Sequence, residues 1–147
     1  MSEQSDDPTA EQVAADLSAV LGRLMRRLRT ASPDSGLTPS QRSVLARLGG
    51  EGPSTTAALA RAEYVRPQSM RLTLGALEDQ GLVQRTPDPD DGRQSVVSVT
   101  DTGRTVLAGL RAAKHGWLSE ALDAELDGAE RRTLADAAAL LRRLVER

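Results

Sequence analysis

The apolar residues of this chain recur at helical spacing as far as Gly81, at strand spacing from Leu82 to Val99, and at helical spacing again beyond Thr100. Two changes of period so close together leave few folds open. Before the change, Thr38-Pro39-Ser40-Gln41 has the pattern of an N-cap, a first-turn proline and a capping box, and Val44, Leu45 and Leu48 follow on one face. Gly49-Gly50-Glu51-Gly52-Pro53 is expected to end that helix. A short helix is predicted from Thr55 or Thr56 to Ala62, with Leu59 and Ala60 inward. After a brief Tyr64-Val65 turn, Pro67 restarts helix, which carries Met70, Leu74 and Leu77 inward and stops at Gly81. Leu82–Thr86 and Gln94–Val99 then read as a hairpin across Pro87-Asp88-Pro89-Asp90-Asp91-Gly92-Arg93, with Gly92 free to take positive φ. Short helix, turn, helix and hairpin in that order predict a winged helix-turn-helix over 37–100.

The flanks are helical too. Val13, Leu17, Val20, Leu24 and Leu28 form a stripe along 9–31, with Arg23, Arg26, Arg27 and Arg29 outside it and solvated. Ser32, Pro33, Ser35 and Gly36 break that helix. Thr100 caps a long helix to about Leu122, with Val106, Leu110, Ala113 and Trp117 on one face. Asp127 and Glu130 form a second capping box, opening a last helix lined by Leu134, Ala138, Leu141, Leu144 and Val145. The expected fold class is mainly α with a small β-hairpin wing, one domain over 9–147 behind a flexible tail, 1–8. The outer helices, 9–31 and 101–146, either cover the module within one chain or pair with a second copy. Readers of two DNA half-sites are dimers, so pairing is the expectation.

Composition narrows the function. There is no Phe and only one Trp and one Tyr, so the core must be aliphatic. Absence of Cys removes disulfides, thiolate metal sites and thiol redox switches. With one histidine, His115, and no cysteine, no activated nucleophile can be assembled, and no enzyme activity or cofactor is expected. Asp88, Asp90 and Asp91 lack the later Glu of a calcium loop, and the Gly49–Gly52 run lacks the Lys-Ser/Thr of a phosphate loop. His115 reads as an ordinary helix residue, Trp117 as core, dimer interface or pocket wall, and Tyr64 as packed in its turn. No apolar run approaches membrane-spanning length, so a cytoplasmic protein with no membrane partner is expected. The net charge of -2 speaks against a protein that merely coats DNA. All cationic residues but Lys114 are arginine, which suits phosphate and guanine contacts and equally suits a GC-rich coding genome.

Leu59-Ala60, Val65–Arg71 (VRPQSMR), Leu77–Val83 (LEDQGLV), Asp88–Gln94 (DPDDGRQ) and Val97–Gly103 (VSVTDTG) together resemble the MarR family of bacterial regulators. The most specific piece is the wing, an Asp-x-Arg followed by a strand that ends in Thr-x-x-Gly. The resemblance covers nearly the whole chain. It implies a homodimer with intertwined terminal helices, a recognition helix in the major groove and a wing arginine in the minor groove. Carried over by position, the recognition helix runs from Arg66 to about Gln80. Arg66, Gln68, Ser69, Arg71 and Leu72 would then face DNA, and Arg93 would be the wing arginine, oriented by Asp91. Gly92 stands where the family commonly has a further arginine, and Arg71-Leu72 replaces its usual Thr-Arg pair.

Physical chemistry points the same way. Arginine forks match guanine and glutamine matches adenine, and Ser69 can donate to phosphate. A cation at a hairpin tip suits the negative potential of a narrow minor groove. A solvated helix face is the plain alternative for Arg66 and Arg71. The expected function is sequence-specific transcriptional regulation, as a dimeric repressor on a pseudo-palindromic operator in double-stranded DNA. The resemblance adds a small aromatic or phenolic effector. The alternative is a winged-helix protein-protein interaction module without DNA binding.

Overall fold

The computed structural model describes residues 7–31 and 35–147. Most of the expected tail, and the helix breakers Ser32 and Pro33, lie outside them. The elements are α1 (Ala10–Ala31), α2 (Pro39–Glu51), β1 (Ser54–Thr55), α3 (Thr56–Ala62), α4 (Pro67–Asp79), β2 (Val83–Pro87), β3 (Ser95–Val99), α5 (Asp101–Glu125) and α6 (Gly128–Val145). None of these helices is long and apolar enough to cross a membrane. The chain divides into two compact units, Pro33–Ala112 and the two ends, Met1–Ser32 with Ala113–Arg147.

Local chemistry sets the helix starts in the first unit. Thr38 accepts from the Gln41 amide while the Gln41 side chain accepts from the Thr38 amide, and Pro39 needs no amide partner at the first position. Thr55 caps α3 by accepting from Ala58. Thr100 accepts from Gly103 at the head of α5. α4 ends at Gln80, and Gly81 follows at φ +70.

The core of this unit is aliphatic. Val44, Leu45 and Leu48 of α2, Leu59 of α3, Met70, Leu74 and Leu77 of α4, and Leu82, Val83, Val97 and Val99 of the sheet are all buried. Each contributes about 1.5–3 kcal/mol of burial. Leu107, one residue past the expected Val106, completes the cluster from α5, and Val106 is only half-buried against it.

Three features depart from the sequence reading. First, the hairpin has a third strand: β1 pairs antiparallel with β3, Ser54 opposite Val97, giving the order β1-β3-β2. Second, α2 runs through Gly49 and Gly50 and ends only at Gly52, whose φ is +90. Gly49 lies against α5, where a Cβ would sit 2.5 Å from Leu107 Cδ1. Its glycine serves close packing rather than termination. Third, Tyr64 does not pack in its turn: it is 96% exposed, in the left-handed region at φ +55. α3 has to reverse sharply there, and the turn is held by backbone bonds from Glu63 to Leu59 and from Val65 to Ala60. That conformation costs a residue with a Cβ about 1–2 kcal/mol.

Gly103 shows how tightly α5 is set on the sheet. A Cβ there would lie 2.2 Å from the Leu82 carbonyl oxygen, which already accepts from the Thr100 amide.

In the second unit, α6 is opened by the expected capping box, with Asp127 accepting from Ala129 and Glu130 and the Glu130 side chain accepting from Asp127. No residue of α1 or α6 is buried. Leu17, Leu24 and Leu28 are half-covered, whereas Val13, Val20, Leu21 and Met25 of α1 and Leu134, Leu140, Leu144 and Val145 of α6 are exposed. Arg27 is not simply solvated, because its guanidinium lies 5.7 Å from the centre of the Trp117 ring, a cation-π contact.

Candidate nucleic-acid interface

α4 splits cleanly into an inner and an outer face. Met70, Leu74 and Leu77 fasten it to the core, which leaves Arg66, Gln68, Ser69, Arg71 and Leu72 exposed. Leu72 is 72% exposed, a large apolar side chain with little of its own chain over it. Arg66 stands at the N-cap but its side chain makes no capping bond, and Pro67 has no amide. The first turn therefore offers the Gln68 and Ser69 amides to an outside acceptor.

The wing is built from β2, β3 and the turn between them. Asp88 donates its amide to the Gln94 carbonyl, and its side chain accepts from the Asp90 amide. Asp91 accepts from the backbone amide of Arg93 at 3.1 Å. Asp91 does not orient the Arg93 side chain as expected: the carboxylate holds the backbone amide, and the guanidinium has no carboxylate partner among the described residues. Gly92 is not at positive φ, because this Asx turn closes the loop without a left-handed residue.

Arg71 and Arg93 line one cleft of about 370 Å³, together with Pro67, Arg85, Gln94, Ser95 and Thr55, Thr56 and Ala57 at the head of α3. Three guanidinium groups and no carboxylate line it; with Arg85 paired to Glu78, Arg71 and Arg93 leave the lining cationic although the chain's net charge is -2. Arg85 is held there by its bond to Glu78 of α4 at 2.7 Å, which also ties β2 to α4. Asp91, Gly92, Arg66, Gln68 and Leu72 are exposed but do not line this cleft. Ser69 lines a separate groove of about 300 Å³ with Ser40, Ser43, Glu63, Val65 and Thr73.

Sequence reading missed Thr55, Thr56 and Arg85. A usable signal existed for Thr55, the N-cap of a short helix whose start must lie near whatever that helix approaches. Arg85 had no such signal, because its strand does not alternate: Val83 is buried and its successors are all exposed.

The end of α3 is anchored to α2 by Glu63. Ser43 Oγ and Arg47 Nε each donate to its carboxylate at 2.7 Å, and Arg47 also donates to Glu51. Partial burial pushes the Glu63 carboxyl up. The bonds from Arg47 and Ser43 outweigh it and hold the group below the usual carboxylate range.

The MarR family profile matches residues 35–94. An HTH-type transcriptional regulator of Mycobacterium bovis is 44% identical over 135 residues, 92% of this chain and 94% of the relative. The HTH-type transcriptional repressor MdtR of Bacillus subtilis is 31% identical, covering 80% of this chain and 81% of its own length. Among solved structures, a transcriptional regulator of Pseudomonas aeruginosa has a TM-score of 0.79 at 38% identity, covering 92% of this chain and 96% of that one. A winged module with relatives of this identity along nearly its whole length has one reading: the chain belongs to the MarR family of DNA-binding transcriptional regulators, which are not enzymes.

Proposed function

We propose that the protein is a homodimeric repressor that reads a pseudo-palindromic operator. α4 enters the major groove with Arg66, Gln68, Ser69, Arg71 and Leu72 toward the DNA, and the wing presents Arg93, on a backbone fixed by Asp91 and Gly92, to the adjoining minor groove. The observation that carries this reading is the carboxylate-free cleft where Arg71 of the helix and Arg93 of the wing face the same space. A phosphate strand running between the two grooves fits there, met by Arg85 and by the hydroxyls of Thr55 and Thr56. The dimer is supported by the apolar rows of α1 and α6, which are exposed among the described residues. Repression is supported by the relative MdtR, a repressor. A small aromatic or phenolic effector remains part of the proposal through the family alone.

Titration of a labelled duplex from the region upstream of the protein's own gene, at several salt concentrations, tests it. Affinity is expected to fall steeply with salt, with a log–log slope set by the phosphates neutralised, and to exceed that for random duplex by at least about 10³-fold. Binding that is flat across salt and indifferent to sequence would overturn it in favour of a protein-protein module.

A further inference from the structure

The turn between α3 and α4 spends conformational energy on a residue that the folded chain does not use. Tyr64 follows the α3 C-cap Glu63 at φ +55, the position where a helix ending of this kind is normally completed by glycine. A bulky residue in the left-handed region is an outlier. Packing could offset the penalty, yet the side chain is 96% exposed, with almost none of its surface covered by its own chain. The backbone is not free to relax, because the amides of Glu63, Tyr64 and Val65 are bonded to Leu59, Arg61 and Ala60. Glu63 is further pinned through Ser43 and Arg47 to α2. The ring is thus carried outward on a rigid mount, two residues ahead of Arg66 at the head of α4.

We infer that Tyr64 is a DNA-contact residue, one that packs its ring on the sugar and donates its hydroxyl to a phosphate at the edge of the major groove entered by α4. This rests on the DNA-binding reading proposed above and adds to it a group outside the recognition helix and the wing. The chemistry suits the place. A tyrosine is stiff, with few rotatable bonds, and its one polar atom lies at the far end of an apolar ring. A rigid turn that begins a groove-bound helix passes close to the backbone flanking that groove, where hydroxyl donors fix register without reading bases. Being uncharged, Tyr64 supplies affinity without releasing a counterion.

Stability and binding should therefore separate. In Tyr64→Gly the left-handed turn is relieved, so Tm is expected to stay level or rise. Affinity for the labelled upstream duplex is expected to fall about tenfold, because each half-site gives up one weak hydrogen bond and the packing of one ring. Tyr64→Phe, which keeps the ring and removes only the hydroxyl, should weaken binding about threefold. The salt slope of both variants should match the native protein, whereas Arg71→Ala, run beside them, should flatten it. Tyr64→Gly binding within about twofold of the native protein at unchanged Tm would overturn this inference and leave the DNA reading intact. A Tm that falls together with affinity would make the ring structural and overturn it as well. Native duplex affinity with abolished repression in a transcription assay would assign the ring to a protein partner instead. A native protein showing no salt-dependent binding would overturn both readings.

Discussion

Arg71 and Arg93 share a cleft but are held differently. Arg71 projects from α4, whose backbone is fixed to the core by the buried Met70 and Leu74, and its side chain is exposed along the cleft. Arg93 stands on the exposed turn of the wing, where the Asp91 carboxylate accepts from its backbone amide. A cation on a helix in the major groove can discriminate between bases, and one on a wing in a narrow minor groove mainly supplies charge. Arg93→Ala is accordingly expected to weaken binding uniformly across operator variants and to lower the salt slope by about one per half-site. Arg71→Ala should also lower the salt slope, but unevenly across operator variants, relaxing base preference by about 1–3 kcal/mol at one position. A panel of single-base operator variants titrated with each protein checks this. Equal loss of discrimination in both variants would refute the division of labour.

At the level of elements, the Glu63 junction joins α2 to the end of α3 and so fixes the mount of the following turn. Its carboxyl is held below the ordinary range, so its contribution is complete above the unfolded-state value. It is lost as pH falls through the lower folded-state value. Glu63→Gln should therefore lower Tm at pH 7 by about 2–4 °C, corresponding to about 1 kcal/mol. The gap to the native protein should narrow once pH falls below the lowered folded-state value, at which the Glu63 carboxyl, like the glutamine amide, is uncharged. Thermal melts at pH 7 and below that value measure it, and a gap that widens in acid would contradict the assignment. Elements with long periodic patterns or complete caps were legible in the residues alone: α2 through Thr38 and Gln41, α6 through Asp127 and Glu130, α4 through Pro67 and Gly81. β1 was not, because two residues carry no period and Ser54 and Thr55 become strand only through β3. Nor was the end of α2, since a Gly-Gly pair reads as a stop unless the close approach of Leu107 is known. Among site residues, those of α4 and the wing were visible as arginines in a motif. Arg85 and Tyr64 were not, since their roles follow from tertiary placement and backbone conformation rather than from residue type.

For the molecule as a whole, the apolar rows on the outer helices are where the proposed dimer is tested. α1 has 22 residues and α6 has 18, and neither buries a single side chain, although each keeps apolar residues at helical spacing. Leu140 and Leu144 lie one turn apart on α6, 58% and 61% exposed, and Leu21 and Met25 stand in the same relation on α1. Apolar surface gathered in rows favours association, and a second copy offers a matching row under two-fold symmetry. Light scattering should give a mass of twice the chain's 15.7 kDa. The double variant Leu140→Glu with Leu144→Glu should shift the mass toward the single-chain value. The winged unit holds a core of its own that neither residue enters, so its helical signal should persist. Loss of the dimer would uncouple the two half-sites, and operator affinity should fall by at least about a hundredfold, the low end of the gain from linked binding. A double variant that stays dimeric and binds its operator as the native protein does would place the association surface elsewhere than on these rows.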